Sequence, residues 1–234
     1  MILAIDTSSV SGSIALVDDA GLVAERTVSH TGTHSQWLMR NISGVLDDSG
    51  VKLSEIRLFA MTIGPGSFTG LRIGVSTVKA LAWAEGKKVA AVSTLEALAL
   101  NLPHSHVPVC PVLDARKGEV YTALYDTSGG SAEAIVKDGA LAPDSLFGLL
   151  REKGFHSGPV IFTGSGLGAY SEEIKGALKG AVLAPEPLWH IRASNVALIV
   201  KGRGLNGVDP GQLSPVYLRK SEAELKAGRP GADR

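Results

Sequence analysis

The pattern that most restricts this chain occurs twice. Residues 1–5, Met1-Ile2-Leu3-Ala4-Ile5, form a short apolar strand that ends at Asp6, turns through small residues and enters a second strand at 13–17. Much later, residues 107–113 run as an apolar strand into Asp114, turn at Lys117-Gly118 and return as a strand at 120–125. Each half therefore opens as strand, aspartate, small-residue turn, strand. A structural duplication follows, too diverged to show as a sequence repeat. Its boundary falls near 103–108, giving a first subdomain over 1–105, a second over 106–220, and a polar tail over 221–234 that is expected to be flexible.

Between these landmarks, strands are expected at 22–28, 58–63, 89–92 and 160–163. Helices are expected at 34–49, 71–85, 94–102, 145–153, 172–178 and 194–201. Alternating strands and helices define an α/β chain with mixed sheets flanked by helices. At 234 residues such a chain buries about 70–75% of its unfolded surface, so it needs no staples. The one cysteine, Cys110, lies in an apolar strand, where burial keeps a thiol inert. No basic region precedes the first apolar residues and no run approaches the ~18 residues of a membrane span, so a cytoplasmic protein without membrane contact is expected. Lys plus Arg equal Asp plus Glu at 23 each. That balance speaks against a free-standing tRNA-binding protein, which needs clustered cations.

Two segments carry possible chemistry. Asp6, Thr7 and Ser8 end a strand in a hairpin that suits the metal and phosphate end of a nucleotide, or makes turn hydrogen bonds only. Gly64-Pro65-Gly66-Ser67-Phe68-Thr69-Gly70-Leu71-Arg72-Ile73-Gly74 combines glycines for close backbone approach with Ser67 and Thr69 as helix caps. It reads equally as an anion site at a helix start or as a tight turn with a cap. It is neither a P-loop nor a dinucleotide fingerprint, since the Gly-Lys-Ser/Thr and Gly-x-Gly-x-x-Gly orders are both missing. Gly164-Ser165-Gly166 is a third glycine turn, and no serine sits in a hydrolase elbow with Asp and His following. His30-Thr31-Gly32-Thr33-His34 has His-x-x-x-His spacing but lies at a loop-to-helix junction with a glycine inside it, a poor metal site.

These motifs, with Ser93-Thr94-Leu95-Glu96-Ala97-Leu98-Ala99, Asp114-Ala115-Arg116-Lys117-Gly118-Glu119-Val120-Tyr121 and Pro215-Val216-Tyr217-Leu218-Arg219, resemble the signatures of the TsaB (YeaZ) family, in the expected order. The resemblance implies two actin-like ASKHA (ribonuclease H-like) subdomains and a role in forming threonylcarbamoyladenosine beside the tRNA anticodon. It marks Asp6, Thr7, Ser8, Gly64, Gly66, Ser67, Thr69, Gly70, Asp114, Gly164 and Gly166 as positions of a vestigial nucleotide site. No cofactor is expected to bind tightly; weak or interface-dependent ATP or ADP with Mg²⁺ is the nucleotide expectation. The catalytic paralogue, TsaD, is implied to bind its metal through a His-x-x-x-His pair, and here those positions are Thr94 and Leu98. Thr is a poor transition-metal ligand and Leu is none, so neither a metal site nor a catalytic residue is expected.

The helix at 71–85 is apolar on more than one side, and Trp37 and Met39 lie off the Leu38, Ile42, Val45 stripe of the preceding helix. That excess apolar surface is either internal or a partner's. The family resemblance implies the partner: TsaB proteins pair through these helices with a TsaD-type catalytic subunit, or with a second TsaB when alone. Trp37, Met39, Ile73, Gly74, Val78, Lys79, Leu81 and Ala82 are then the interface candidates, with Val78 and Ala82 open to substitution without unfolding. A TsaE-type ATPase is implied as a further partner, and tRNA only within the complex. The competing class is a stand-alone ASKHA kinase or transferase using ATP, favoured by Asp6, Asp114 and the glycine loops. The short second half and the missing metal ligands weigh against it.

Overall fold

The computed structural model describes residues 1–29, 34–204 and 206–219. The proposed tail at 221–234 and most of the His30–His34 segment lie outside the described residues. Two five-stranded sheets carry the duplication. The first contains β1 (Ile2–Asp6), β2 (Ser11–Val17), β3 (Leu22–Ser29), β4 (Leu58–Thr62) and β5 (Lys88–Val92), in the order β3-β2-β1-β4-β5. The second contains β6 (Val109–Arg116), β7 (Glu119–Asp126), β8 (Glu133–Leu141), β9 (Val160–Thr163) and β10 (Ala181–Leu183), in the order β8-β7-β6-β9-β10. In both, the first three strands are antiparallel neighbours and the last two join in parallel. The sheets are topological copies, as the repeated opening predicts.

Side-chain alternation decides what each face meets. On β1, β2 and β4 the odd or even set Leu3, Ile5, Ile14, Leu16, Phe59 and Met61 is fully buried on one face, beneath α1 (His34–Ser49) and α2 (Phe68–Ala84). The opposite face of the sheet presents Ala4, Ala15, Ala60 and Ala90. Large residues on one side fill the space under two long helices; alanines on the other let helices approach closely. The second sheet repeats the scheme with α4 (Pro143–Glu152) and α5 (Leu167–Ala177) over Cys110, Val112, Leu124 and Phe162.

Two helices are exchanged at the seam. The short α3 (Thr94–Ala99) follows β5 but packs on β6 and β7, whereas α6 (Ala193–Gly202) follows the second sheet but packs on β1, β2 and β4. Together they form a central core of mostly small residues, including Ala97, Ala99, Ala193 and Ala197. The start of α6 is capped from the other half. Ser13 Oγ accepts from Ala193 N at 3.0 Å and Glu25 Oε1 from Ser194 N at 2.8 Å, while Arg192 grips the same carboxylate at 2.9 and 3.1 Å. The first-turn donors of a helix are satisfied by the first sheet.

The last described segment, 206–219, returns to the first half as a strap. Val208 and Val89 exchange backbone hydrogen bonds at 2.8 and 3.0 Å, Leu213 is buried under α2, and Val216 N donates to Ile63 O at 2.7 Å. No helix among the described residues is long and apolar enough to cross a membrane.

Sequence reading missed β8 and β10 and started α5 late. Strand β8 is an edge strand with no fully buried side chain, and its apolar and polar residues do not alternate, so it lacks the pattern that marks a strand. A close-packed seam makes a sharp prediction: Ala197→Leu inserts three carbons where nothing yields, and should cost about 1–3 kcal/mol. Urea unfolding would check it, and an unchanged midpoint would mean that α6 does not press on the sheet.

Candidate functional site

The glycine loop and the Asp6 turn are one unit. Asp6 ends β1 facing the seam, with its side chain fully buried. Its Oδ1 accepts from Ser8 Oγ at 2.6 Å, Ser8 N at 3.2 Å and Thr62 Oγ1 at 2.6 Å, whereas Oδ2 is buried without a partner. Burial pushes this carboxyl above its ordinary range, more strongly than the hydrogen bonds from Ser8 and Thr62 lower it. Thr7 Oγ1 donates to Gly70 O at 2.8 Å, and Ser67 N donates to Ser8 O at 2.6 Å. The loop from 64 to 70 is thus riveted to the turn after β1.

Glycine is required by contact here. A Cβ on Gly74 would stand 2.2 Å from Thr7 Oγ1, and one on Gly66 would stand 2.3 Å from Ser8 O. Gly64 has φ +124° and would place a Cβ 2.4 Å from Val216 O, so the strap closes over it. Beyond the loop, Ser67 caps α2 by accepting from Gly70 N at 3.3 Å; Ser67 and Thr69 are exposed.

In the second half Asp114 is exposed and engaged in its own hairpin, accepting from Arg116 N at 2.7 Å with the Arg116 guanidinium 3.4 Å away. The Gly164 turn packs on the end of β6, where Gly166 N donates to Val112 O at 3.0 Å. Helix α3 lies between the two glycine loops. Thr94 N donates to Gly64 O at 2.9 Å, and Leu98 Cδ2 lies 2.9 Å from where a Gly164 Cβ would stand. Thr94 and Leu98 are both fully buried, and Thr94 Oγ1 has no hydrogen-bond partner.

The same helix carries polar ties that sequence reading did not find. Ser93, the α3 cap, donates to Asp138 on β8, which also accepts from Tyr125 OH at 2.6 Å. Glu96 is buried and forms a two-pronged pair with Arg203 beyond α6, at 2.6 and 3.1 Å. Burial raises the Glu96 carboxyl and the Arg203 guanidinium opposes that shift. Burial, reinforced by Asp138, holds the Tyr125 phenol far above its ordinary value. Asp138 was invisible because β8 itself was; Arg203 pairs across a distance that no local motif spans. Among the described residues, no three His, Cys, Asp or Glu side chains group closely enough to hold a metal ion.

The interface candidates divide. Met39 is 49% exposed and Ile73, Lys79 and Leu81 are half-buried; Trp83, which is not among the candidates, is 58% exposed. Four candidates need correction as surface residues. Trp37 packs over Gly12 of β2, Gly74 abuts Thr7, and Val78 and Ala82 are fully buried in the core beneath α2. The apolar excess of α2 is therefore partly internal, and an Asp at Val78 would be an unpaired buried charge that unfolds the chain. A cleft of about 330 Å³ lies at the opposite end of the first sheet, lined by Ile2, Asp18, Asp19, Arg57, Lys88 and Lys201, remote from the glycine loops in strand direction.

Two copies of one mixed sheet, helices exchanged at the seam and a glycine loop closing the end of the first strand of each define an actin-like ASKHA protein. The family model for TsaD, tRNA N6-adenosine threonylcarbamoyltransferase, matches residues 22–184. The chain is 35% identical over 227 residues to the tRNA threonylcarbamoyladenosine biosynthesis protein TsaB of Bacillus subtilis, covering 96% of each. It is 26% identical to the Haemophilus influenzae protein of the same name, covering 93% of each. YeaZ from Pseudomonas aeruginosa superposes with a TM-score of 0.75 at 28% identity, over 93% of this chain and 99% of that one. The chain belongs to the TsaB (YeaZ) family.

The buried Asp6 carboxyl yields a prediction with a definite sign. Its folded pKa lies above the unfolded value, so its contribution is most favourable at low pH and is lost as pH rises through the folded pKa. Asp6→Asn, which keeps the acceptor for Ser8 and Thr62, should gain stability relative to the parent as pH rises from acid to neutral. Urea unfolding across that range measures the gap; a gap independent of pH would contradict a buried, raised carboxyl.

Proposed function

We propose that this chain is the non-catalytic subunit of a cytoplasmic threonylcarbamoyl-transfer system: it docks on a TsaD-type enzyme through α1 and α2, works with a TsaE-type ATPase, and meets tRNA only within that assembly. The observation that carries the proposal is the burial of Thr94 and Leu98. At the positions where the catalytic paralogue is implied to place two metal-binding histidines, this chain has a hydroxyl bonded to nothing and a leucine wedged on Gly164. Neither side chain offers a metal a nitrogen, and both are core.

The Asp6 turn supports the same reading. A carboxyl that orients hydrated Mg²⁺ must reach solvent, and this one is fully buried with Ser8 and Thr62 both held on Oδ1. Thr7, Ser8, Gly64, Gly66 and Gly70 act as the rivet between turn and loop, so a nucleotide would be held weakly or only with help from a partner. The docking surface is the outward stripe of α2, where Arg72, Ser76 and Ala80 are exposed one turn apart, with Met39 of α1 and Trp83 at its flanks. Small residues at its centre suit a second helix packed close. In the absence of the enzyme, a second copy of this chain would cover the same stripe.

Ala80→Arg adds a bulky charge at the middle of that stripe and touches no core residue. It should abolish complex formation with the TsaD-type protein in calorimetry or size exclusion while leaving the thermal melt unchanged. Undiminished binding would exclude α2 as the docking helix.

A further inference from the structure

Arg72 sits one turn into α2 in a mould of aromatic side chains. Its guanidinium carbon stands 3.8 Å from the centroid of the Phe68 ring, and its Nε donates to Tyr217 OH at 3.2 Å. Tyr217 in turn packs on Phe68, with ring centroids 4.7 Å apart. The strap holds Tyr217 in place from both sides. Val216 N is bonded to Ile63 O at 2.7 Å, and Arg219 donates to the carbonyls of Ala115 and Arg116 at 2.8 and 3.0 Å. A segment that joins the two halves thereby fixes the plane of one exposed arginine.

Among the described residues, Arg72 meets no acid. Arg26, Arg57, Arg192, Arg203 and Arg219 each meet a carboxylate of this chain. Among the described residues, the Nη1 and Nη2 atoms of Arg72 make no hydrogen bond or ion pair; the guanidinium is held by the Phe68 ring and, through Nε, by the Tyr217 hydroxyl. A guanidinium already stacked and oriented loses little freedom on pairing, and its planar fork matches a carboxylate. Arginine and aromatic residues are also the types that dominate interface energies. A nucleic-acid strand would require several free cations beside it. Among the described residues the neighbouring cations are engaged internally: Lys79 with Gly211 O at 3.3 Å and over the Trp83 ring, Arg219 with Glu119 at 3.3 Å. Arg72 also continues the exposed Ser76, Ala80 stripe, so what covers one covers the other.

We infer that Arg72, moulded by Phe68 and Tyr217, is the receptor for a carboxylate of the catalytic partner chain and sets that chain's orientation on α2, an inference that rests on the docking reading above. Calorimetric titration with the cognate TsaD-type protein, at low and high salt, tests it. Arg72→Ala should weaken binding about tenfold or more and flatten the salt dependence. Arg72→Lys, which keeps the charge and cannot disturb folding at an exposed position, should fall nearly as far because the fork is lost. Tyr217→Phe, which removes only the oxygen holding Nε, should weaken binding about two- to threefold. Binding of Arg72→Ala within about twofold of the parent, while Ala80→Arg still abolishes it, would overturn this inference and leave the docking reading intact. Normal binding by both variants would overturn the docking reading itself. Normal partner binding by Arg72→Ala with weakened tRNA binding by the assembled pair would assign Arg72 to phosphate and overturn the carboxylate assignment.

Discussion

The hydrogen bond from Ser67 N to Ser8 O, 2.6 Å long, is the contact from which the other placements follow. It joins the loop before α2 to the turn after β1, so the first turn of α2 starts against the end of the central strand. Thr7 repeats the tie through Gly70 O, and Gly74, one turn further, can only be glycine because Thr7 occupies the space of a side chain. With α2 held at this end, its Val75, Val78 and Ala82 side enters the core and the Arg72, Ser76, Ala80 side faces outward. The opposite carbonyl edge of the loop, Gly64 O, receives Thr94 N, so the same loop sets the start of α3. A residue order that looks built for phosphate serves here to aim two helices.

The seam between the halves depends on those helices. Helix α3 reaches the second sheet and α6 reaches the first, and both pass through a core rich in alanine. Such a core contributes less apolar burial per side chain than one of leucine or phenylalanine. Polar ties make up part of the difference: Ser93 to Asp138, Glu96 to Arg203, and Arg192 with the Ser194 amide to Glu25. Glu96 and Glu25 are both nearly buried, and removing either arginine would leave an acid without its counter-charge, which costs more than the pair contributes. The halves are therefore bound by a specific set of partners as well as by apolar contact.

Much of this was legible from residue order, because it is local. The two openings, strand, Asp6 or Asp114, turn, strand, foretell two sheets, and the topology repeats strand for strand. The Ser67 cap and the glycine loop were visible for the same reason. The misses are tertiary. A helical wheel puts Trp37 beside the core stripe of α1, and only the absence of a side chain at Gly12 on β2 lets the indole in. The excess apolar surface of α1 and α2 could be assigned to a partner or to the core; Val78 and Ala82 of α2 went to the core, whereas Met39 of α1 and Trp83 of α2 stayed outside. Asp138 lies on an edge strand with no alternation, and Arg72 stood inside the recognised motif without a role until the strap brought Tyr217 beside it.

The account turns on this chain assisting a catalytic subunit without performing the reaction. Reconstitution with tRNA, the threonylcarbamoyl donor, ATP, the ATPase and the TsaD-type enzyme, read by mass spectrometry of the modified adenosine, tests that most directly. Modification should require both this chain and the TsaD-type enzyme, with none when the enzyme is left out. Modified adenosine formed by this chain in the absence of the TsaD-type enzyme would contradict the account.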